Sequence, residues 1–403
     1  MPPRPPGGHR DMNLDPIPGP SGMTAPPLDL RATRGLEGLE ALRDDWNAVA
    51  ATLTDPGFHH QHDWHANHLR CLQGNPDDTW FFTFAREGRA VAIFPLRRTR
   101  RVIARVPLRA WELPSSAHMT LGDALIAPGE DATVLLQGLA QRLAGQRATR
   151  RDALHFPNVL ADSTLGVALD GGALPRTCGI SSRTSMHFDC PDLETAMRNC
   201  STDFRRNLRR QLRKLQQRGR LDFCFHRQRD DVLAALPRFF ELEASGWKGA
   251  AGEGTAIRED SQLVDFYRGV AESFAVRGRC AINELRLDGV PVAAHFALVA
   301  GRTMYLLKIA YDETLRAEAP GAQLLHAVLE HCCASAEIDR LSLVTGPEWA
   351  RDRWKPEQRP LSDISAFDAT PAGLLALSAR SLRPVASSAA RVLRNVVRKE
   401  HAA

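Results

Sequence analysis

No stretch of this chain is apolar enough to cross a membrane. The longest such run, VPVAAHFALVA at 290–300, is far short of the ~20 residues a span needs. The opening residues, MPPRPPGGHRDMNLDPIPGPSG, lack the apolar core of a secretory signal and read as a Pro/Gly-rich disordered tail over 1–27. The eight cysteines are scattered and include no CxxC pair, so neither a disulfide framework nor a cysteine metal site is indicated. Reduced, mostly buried thiols in a cytoplasmic protein fit that usage. HExxH is missing, and no Ser-His-Asp order or lone activated cysteine points to a covalent intermediate. No recognition-helix pair or zinc module suggests sequence-specific DNA reading.

What is present is an ordinary globular composition on a long chain. The 403 residues are 43% hydrophobic and 25% charged, with a formal net charge of +5. That length predicts two domains. The mild cationic excess permits an anionic ligand without demanding nucleic acid.

The chain also repeats an order of elements. EGRAVAIFPL (87–96) and DGVPVAAHFAL (288–298) each read as a hairpin turn followed by a buried strand. APGEDATVLLQGLAQRLAG (127–145) and APGAQLLHAVLEHCCAS (319–335) each run from Ala-Pro-Gly into an apolar helix. Short strand-like runs follow, RDALHF (151–156) and IDRLSLV (338–344). The spacing predicts a duplicated α/β domain with its boundary near 187–199.

In the second copy, TMYLLKIAYD (303–312) alternates and reads as a strand, with Tyr305, Leu307, Ile309 and Tyr311 on one side and Leu306, Lys308, Ala310 and Asp312 on the other. Leu324, Leu325, Val328, Leu329 and Cys332 share one face of the helix that follows. Pro320 suits its start and Gly321 removes side-chain bulk there. Such a first turn offers unpaired N–H groups and a partial positive charge, a natural seat for a diphosphate. Arg316 can add a counter-charge.

This strand–turn–helix order resembles the acyl-coenzyme A site of the GNAT acetyltransferase superfamily, whose usual signature is Arg/Gln-x-x-Gly-x-Gly/Ala. Arg316 is followed here by AEAPGA, which keeps the Gly321-Ala322 end and shifts the arginine. The tandem arrangement is similar to the double-GNAT, FemAB-like branch, and most to the CelD-type proteins of cellulose and exopolysaccharide biosynthesis. The matching pieces are HHQHDWHANHLRC (59–71), FRRNLRRQLRKLQQRG (204–219), GWKG (246–249), DGVPVAAHFAL, YDETLRAEAPGAQLL (311–325) and LVTGPEWARDRWKP (343–356). In the last piece Gly346, Glu348, Arg351 and Trp354 fill the family's run, with arginine where lysine is common.

The resemblance implies an α/β fold of two tandem GNAT-like domains with mixed, mostly antiparallel sheets flanked by helices. They would occupy 28–186, without a donor because Glu130 follows Gly129, and 187–367, with the donor site. Acyl-CoA would be a co-substrate and no cofactor would be tightly bound. Pro320, Gly321, Ala322, Gln323 and Arg316 would hold the donor. His295, Lys308, Tyr311 and Asp312 are the candidates for proton transfer. Arg205, Arg209 and Arg213 on the basic helix, Trp247 and Lys248 in a flexible glycine-rich segment, and Glu348 would meet the acceptor, an amine or a sugar hydroxyl.

The arginine helix leaves open a Fem-like transfer from aminoacyl-tRNA. The shifted phosphate signature leaves open a catalytically silent accessory protein of polysaccharide synthesis. The histidines of HHQHDWHANH are expected to sit on a helix at the domain seam and to bind no metal. The tail 368–403 is basic and amphipathic, suited either to peripheral contact with the inner membrane or to docking on the protein itself.

Overall fold

The computed structural model describes residues 12–17, 27–144, 150–250, 252–346 and 348–380. Strands β1 (Met12–Ile17) and β2 (Leu28–Arg34) lead into helices α1 (Gly35–Ala41), α2 (Arg43–Thr52) and α3 (His62–Cys71). A meander of β3 (Thr79–Arg86), β4 (Arg89–Ile103) and β5 (Val106–Glu112) follows, then β6 (Leu125–Ile126), α4 (Ala132–Ala144), β7 (Ala153–Leu160), α5 (Thr164–Asp170) and β8 (Thr177–Asp189). Next come α6 (Leu193–Ala196), α7 (Thr202–Gln216), β9 (Leu221–His226), α8 (Arg229–Ser245) and α9 (Ser261–Ala275). A second meander, β10 (Cys280–Leu287), β11 (Val290–Ala300) and β12 (Thr303–Tyr311), precedes α10 (Pro320–Ala334), β13 (Arg340–Val344), α11 (Glu348–Trp354) and β14 (Glu357–Phe367). Residues 371–380 are helical, and the remainder of the C-terminal tail lies outside the described residues.

The chain forms two compact units built from interleaved segments. The first comprises Met1–Gly38, Asp77–Ser182 and Leu361–Ala403, and the second Leu39–Pro76 and Arg183–Pro360. The first unit carries the strand order β1-β2-β3-β4-β5-β7-β14, with β6 beside β4. Within the tail expected to be disordered, residues 12–17 pair with β2. The second unit carries β8-β13-β12-β11-β10-β9. In each unit an antiparallel meander ends on a strand whose next neighbour, reached through a helix, runs parallel to it. Each core lies between sheet and helices. Phe82, Phe94, Trp111 and Leu135 are central to the first, and Ala297, Leu306, Leu324 and Leu329 to the second.

The two hairpin turns read from sequence take the same form. Glu87-Gly88 and Asp288-Gly289 both have positive φ, the two-residue turn whose twist matches its strands. One local expectation is corrected. β12 does not alternate throughout: Lys308 faces Phe296 and Leu306 faces Ala297, so Leu307 is an extra residue in a bulge. Tyr305 therefore shares a face with Lys308, while Leu306 joins Tyr311. The cap of α7 is Ser201, whose hydroxyl accepts from Phe204 N–H at 3.1 Å, because the extended backbone at Ser201 aims its side chain at that donor. The histidine-rich helix α3 belongs to the second unit, where Trp64 meets Phe266 of α9 at 5.2 Å.

Candidate active site

β12 and β13 pair through Thr303, Met304 and Tyr305 against Arg340, Leu341 and Ser342, and no further. Beyond that break a cavity of about 600 Å³ opens within the second unit. β12 contributes Leu307, Ile309 and Tyr311 to its lining, and the end of β13 contributes Leu343, Thr345 and Gly346. One wall is the first turn of α10, Gly321 and Ala322, with Arg316 ahead of it and Gln211 of α7 alongside. Another is the end of α8 and the loop after it: Glu243, Trp247 and Lys248. His295 reaches the lining from β11, and Trp349 and Arg353 from α11.

The start of α10 is built by its backbone. Ala319 adopts the left-handed conformation (φ 51°), and the helix opens on Pro320, which has no N–H to leave unpaired. The N–H groups of Ala322 and Gln323 turn back to the Ala319 carbonyl at 3.0 and 3.1 Å, leaving Gly321 N–H outside that set. A Cβ on Gly321 would lie 3.5 Å from the Tyr311 ring, an ordinary contact. The protein itself has room for a side chain here, so the glycine leaves the surface bare without being sterically required by its own neighbours. Gln323 is buried and donates to the Leu208 carbonyl at 3.0 Å, tying α10 to α7 and away from the cavity lining.

The proton-transfer candidates divide. His295 is 2% exposed, and its Nδ1 has no hydrogen-bond partner among the described residues. Burial holds its imidazole down to about 3, so it is neutral and able to accept a hydrogen bond. Tyr311 is half-buried beside Gly321. Lys308 lies on the opposite face of β12, with its ammonium 5.7 Å from the Tyr267 ring centroid. Burial, then the neighbouring Lys248, lowers its pKa against the opposing pull of Glu243. Asp312 caps the short turn after β12, accepting from Thr314 N–H at 2.9 Å and its hydroxyl at 2.7 Å. Neither Lys308 nor Asp312 lines the cavity.

The segment expected to be flexible is folded on itself. Glu253 N–H donates to Trp247 O, and Thr255 and Ala256 N–H both donate to Lys248 O, each at 2.8 Å. Gly249 and Gly252 allow this, since a Cβ would fall 1.8 and 1.9 Å from the carbonyl oxygens of Ala244 and Trp247. Lys248 reaches back to the buried Glu243 at 3.1 Å, and Glu243 also accepts Ile257 N–H at 2.9 Å. Trp247 stays exposed at the cavity.

On α7, Arg205 donates to the Met197 carbonyl. Arg209 and Arg213 are exposed, and neither side chain makes a hydrogen bond or ion pair among the described residues. None of the three lines the cavity. Glu348 is exposed and 3.7 Å from Arg351. The residues missed from sequence are Glu243, Gln211, Trp349 and Arg353. The i, i+4 spacing of Trp349 and Arg353 was a usable signal for the last two.

The first unit treats the equivalent place differently. β5 and β7 also pair through three parallel partners, Ala110, Trp111 and Glu112 against Ala153, Leu154 and His155. The chain itself then continues along β7: Leu113 N–H donates to His155 O at 3.1 Å and Gly122 N–H to Asn158 O at 3.0 Å. A Cβ on Gly122 would sit 2.3 Å from the Pro157 carbonyl oxygen, so the segment lies tight against the strand. At the start of α4 the Asp131 carboxylate takes the N–H of Thr133 at 2.8 Å, and Glu130 is held by Arg86 at 2.9 and 3.0 Å.

Residues 202–356 match the family described as the acetyltransferase (GNAT) domain, a segment that contains the whole cavity lining. Among solved structures the chain is similar to the crystal structure of FemX, with 10% identity, a TM-score of 0.56, and coverage of 83% of this chain and 98% of that one. It is also similar to the structure of L-PGS from Bacillus licheniformis, with 12% identity, a TM-score of 0.50, and coverage of 84% and 96%. At these identities the likeness is one of fold. No curated protein matches the chain. The architecture is a mixed α/β fold of the GNAT acyltransferase type, with a mostly antiparallel sheet flanked by helices. Among the described residues no helix is long and apolar enough to cross a membrane.

Proposed function

We propose that the second unit transfers an acyl group from an acyl-CoA to an amine or hydroxyl acceptor. The observation that carries this reading is the break in β12–β13 pairing beside the bare first turn of α10. An extended, amide-containing donor arm can take the hydrogen bonds that the two strands no longer exchange. Its diphosphate meets Gly321 N–H and the helix dipole, with Arg316 and Arg353 as counter-charges. The acceptor enters past Trp247 and attacks the thioester carbonyl. A carbon–nitrogen or carbon–oxygen bond forms, the carbon–sulfur bond breaks, and the acceptor's proton must leave. In this reading neutral His295 accepts a hydrogen bond that orients the attacking group, and Tyr311 takes the acceptor's proton while giving its own to the departing thiolate. On the CelD-type resemblance the acceptor is a sugar or polysaccharide precursor of the cell envelope.

The first unit takes no donor in this reading, because its own segment 113–122 and Asp131 occupy the groups a donor would use. Titration calorimetry with acetyl-CoA tests both halves of the proposal. One site per chain is expected. Two sites would sink the account of the first unit, and none would sink acyl-CoA as donor.

The unpaired cations of α7 favour a second reading, transfer of an aminoacyl group from a charged tRNA. Tight binding of aminoacyl-tRNA by a chain that ignores acetyl-CoA would establish that reading over the first. A folded chain that binds neither would leave the accessory role.

A further inference from the structure

The β4–β5 hairpin of the first unit extends past its neighbours. β3 pairs with β4 only as far as Arg97, and β7 pairs with β5 only from Ala110. Residues 98–103 and 106–109 therefore form a two-stranded arm. One face of the arm is covered, because Ile103, Val106 and Leu108 pack with Phe367 and Ala376. The other face presents Arg98, Arg100 and Val102 from β4 with Pro107 and Arg109 from β5, all exposed. Val102 is 68% exposed and directly faces Pro107, an apolar rung at the outer end of the arm.

Two features of the arm work against its own stability. Arg100 faces Arg109 across the strands, a like-charge pair that disfavours the hairpin. The two-residue turn has φ of 51° at Ala104 and 70° at Arg105, conformations that Asn-Gly or Asp-Gly would adopt with less strain. Arg109 is balanced by Asp152 at 2.8 Å. Arg98, Arg100 and Arg105 have no carboxylate partner among the described residues. The sequence thus keeps three unneutralised guanidiniums and an aliphatic rung on an uncovered arm.

We propose that this hairpin is a docking element for a bilayer surface rich in anionic headgroups. At ~3.4 Å per residue, Arg100 lies ~7 Å and Arg98 ~14 Å behind Val102 along the strand. An apolar rung entering the headgroup boundary by roughly 5–10 Å would bring the Arg100 guanidinium level with lipid phosphates, with Arg98 behind it and Arg105 in the turn ahead of it, both within reach of the anionic headgroup field. A nucleic acid or an anionic glycan gains nothing from the exposed Val102–Pro107 rung, so the rung selects the bilayer among polyanions.

The test is co-sedimentation of the full chain with vesicles of phosphatidylcholine alone and of two parts phosphatidylcholine to one part phosphatidylglycerol. Binding to the second and not the first is expected. The triple change Arg98→Gln, Arg100→Gln, Arg105→Gln should weaken binding about a hundredfold, at roughly fivefold per arginine. Val102→Asp should weaken it further, while Val102→Ile should retain it. Thermal melts establish that each variant is folded. Failure of the parent chain to bind either vesicle, equal binding to both, or variants that bind like the parent would each overturn the proposal. So would loss of all binding on truncation after Arg380, or RNA binding that exceeds vesicle binding and is indifferent to Val102→Asp.

Discussion

Gly321 and Lys248 concentrate the site's chemistry in single residues. Because the structure has room for a Cβ at 321, Gly321→Ala should fold and bind acyl-CoA with at most a modest loss. Gly321→Glu places a like charge against the diphosphate and should abolish binding while the melting temperature stays close to the parent's. Unchanged affinity in folded Gly321→Glu, measured by calorimetry, would remove the diphosphate from this turn. Lys248→Met tests the buried partner instead. Glu243 is 4% exposed and would keep only the Ile257 N–H. Leaving a buried carboxylate short of a partner costs about 1–3 kcal/mol, readable as a lower urea midpoint. Adding Glu243→Gln to Lys248→Met should recover part of that loss. A double variant no better than the single would show that Lys248 acts through packing alone.

At the scale of elements, α7 decides between ligand contact and solvation. Its apolar side buries Leu208 and Leu215, and its cations occupy the rest. Arg209 lies near enough to α10 to help, after burial, keep His326 below its usual range. If Arg209 and Arg213 meet a phosphate, Arg209→Ala and Arg213→Ala should each weaken acyl-CoA or tRNA binding about tenfold or more, since a charged hydrogen bond contributes about 1.5–3 kcal/mol. The salt dependence should become shallower in the same variants. Affinities equal to the parent's at low and high salt would leave these residues solvated, where exposed pairs contribute about 0–1 kcal/mol. The bulge at Leu307 has its own consequence. It turns Leu306 toward α10 and Tyr305 toward Phe58, 5.0 Å away, so each face of β12 keeps an apolar partner across the shift.

For the molecule as a whole, acid should be a selective stress. Burial pushes the imidazoles of His65, His155 and His295 down to about 3. In the unfolded chain each takes a proton near pH 6.5, so between about 3 and 6.5 the unfolded state binds more protons. The stability from keeping them neutral is complete above that window and is lost as pH falls through it, by up to about 1.4 kcal/mol per pH unit for each histidine. Urea midpoints should therefore fall between about pH 6.5 and 5, above the range where ordinary carboxylates titrate. A flat profile over that interval would contradict the burial of these rings.

Local sequence determined a good deal here. Glu87-Gly88 and Asp288-Gly289 set their hairpins because a two-residue turn with positive φ is a local backbone preference. The apolar face of α10 followed from helical periodicity, and Pro320 marked its start because a proline at that position gives up no needed N–H. Only the tertiary structure decided the rest. The bulge at Leu307 arises from pairing with β11 across the sheet, and alternation within one strand carries no trace of it. The cavity opens where β13 stops pairing with β12 after Ser342, and its counterpart is closed because Leu113 and Gly122 hydrogen-bond to β7, contacts made between residues far apart in sequence. Glu243 joined the site for the same reason: a buried carboxylate becomes visible only when the loop carrying Lys248 folds back over it.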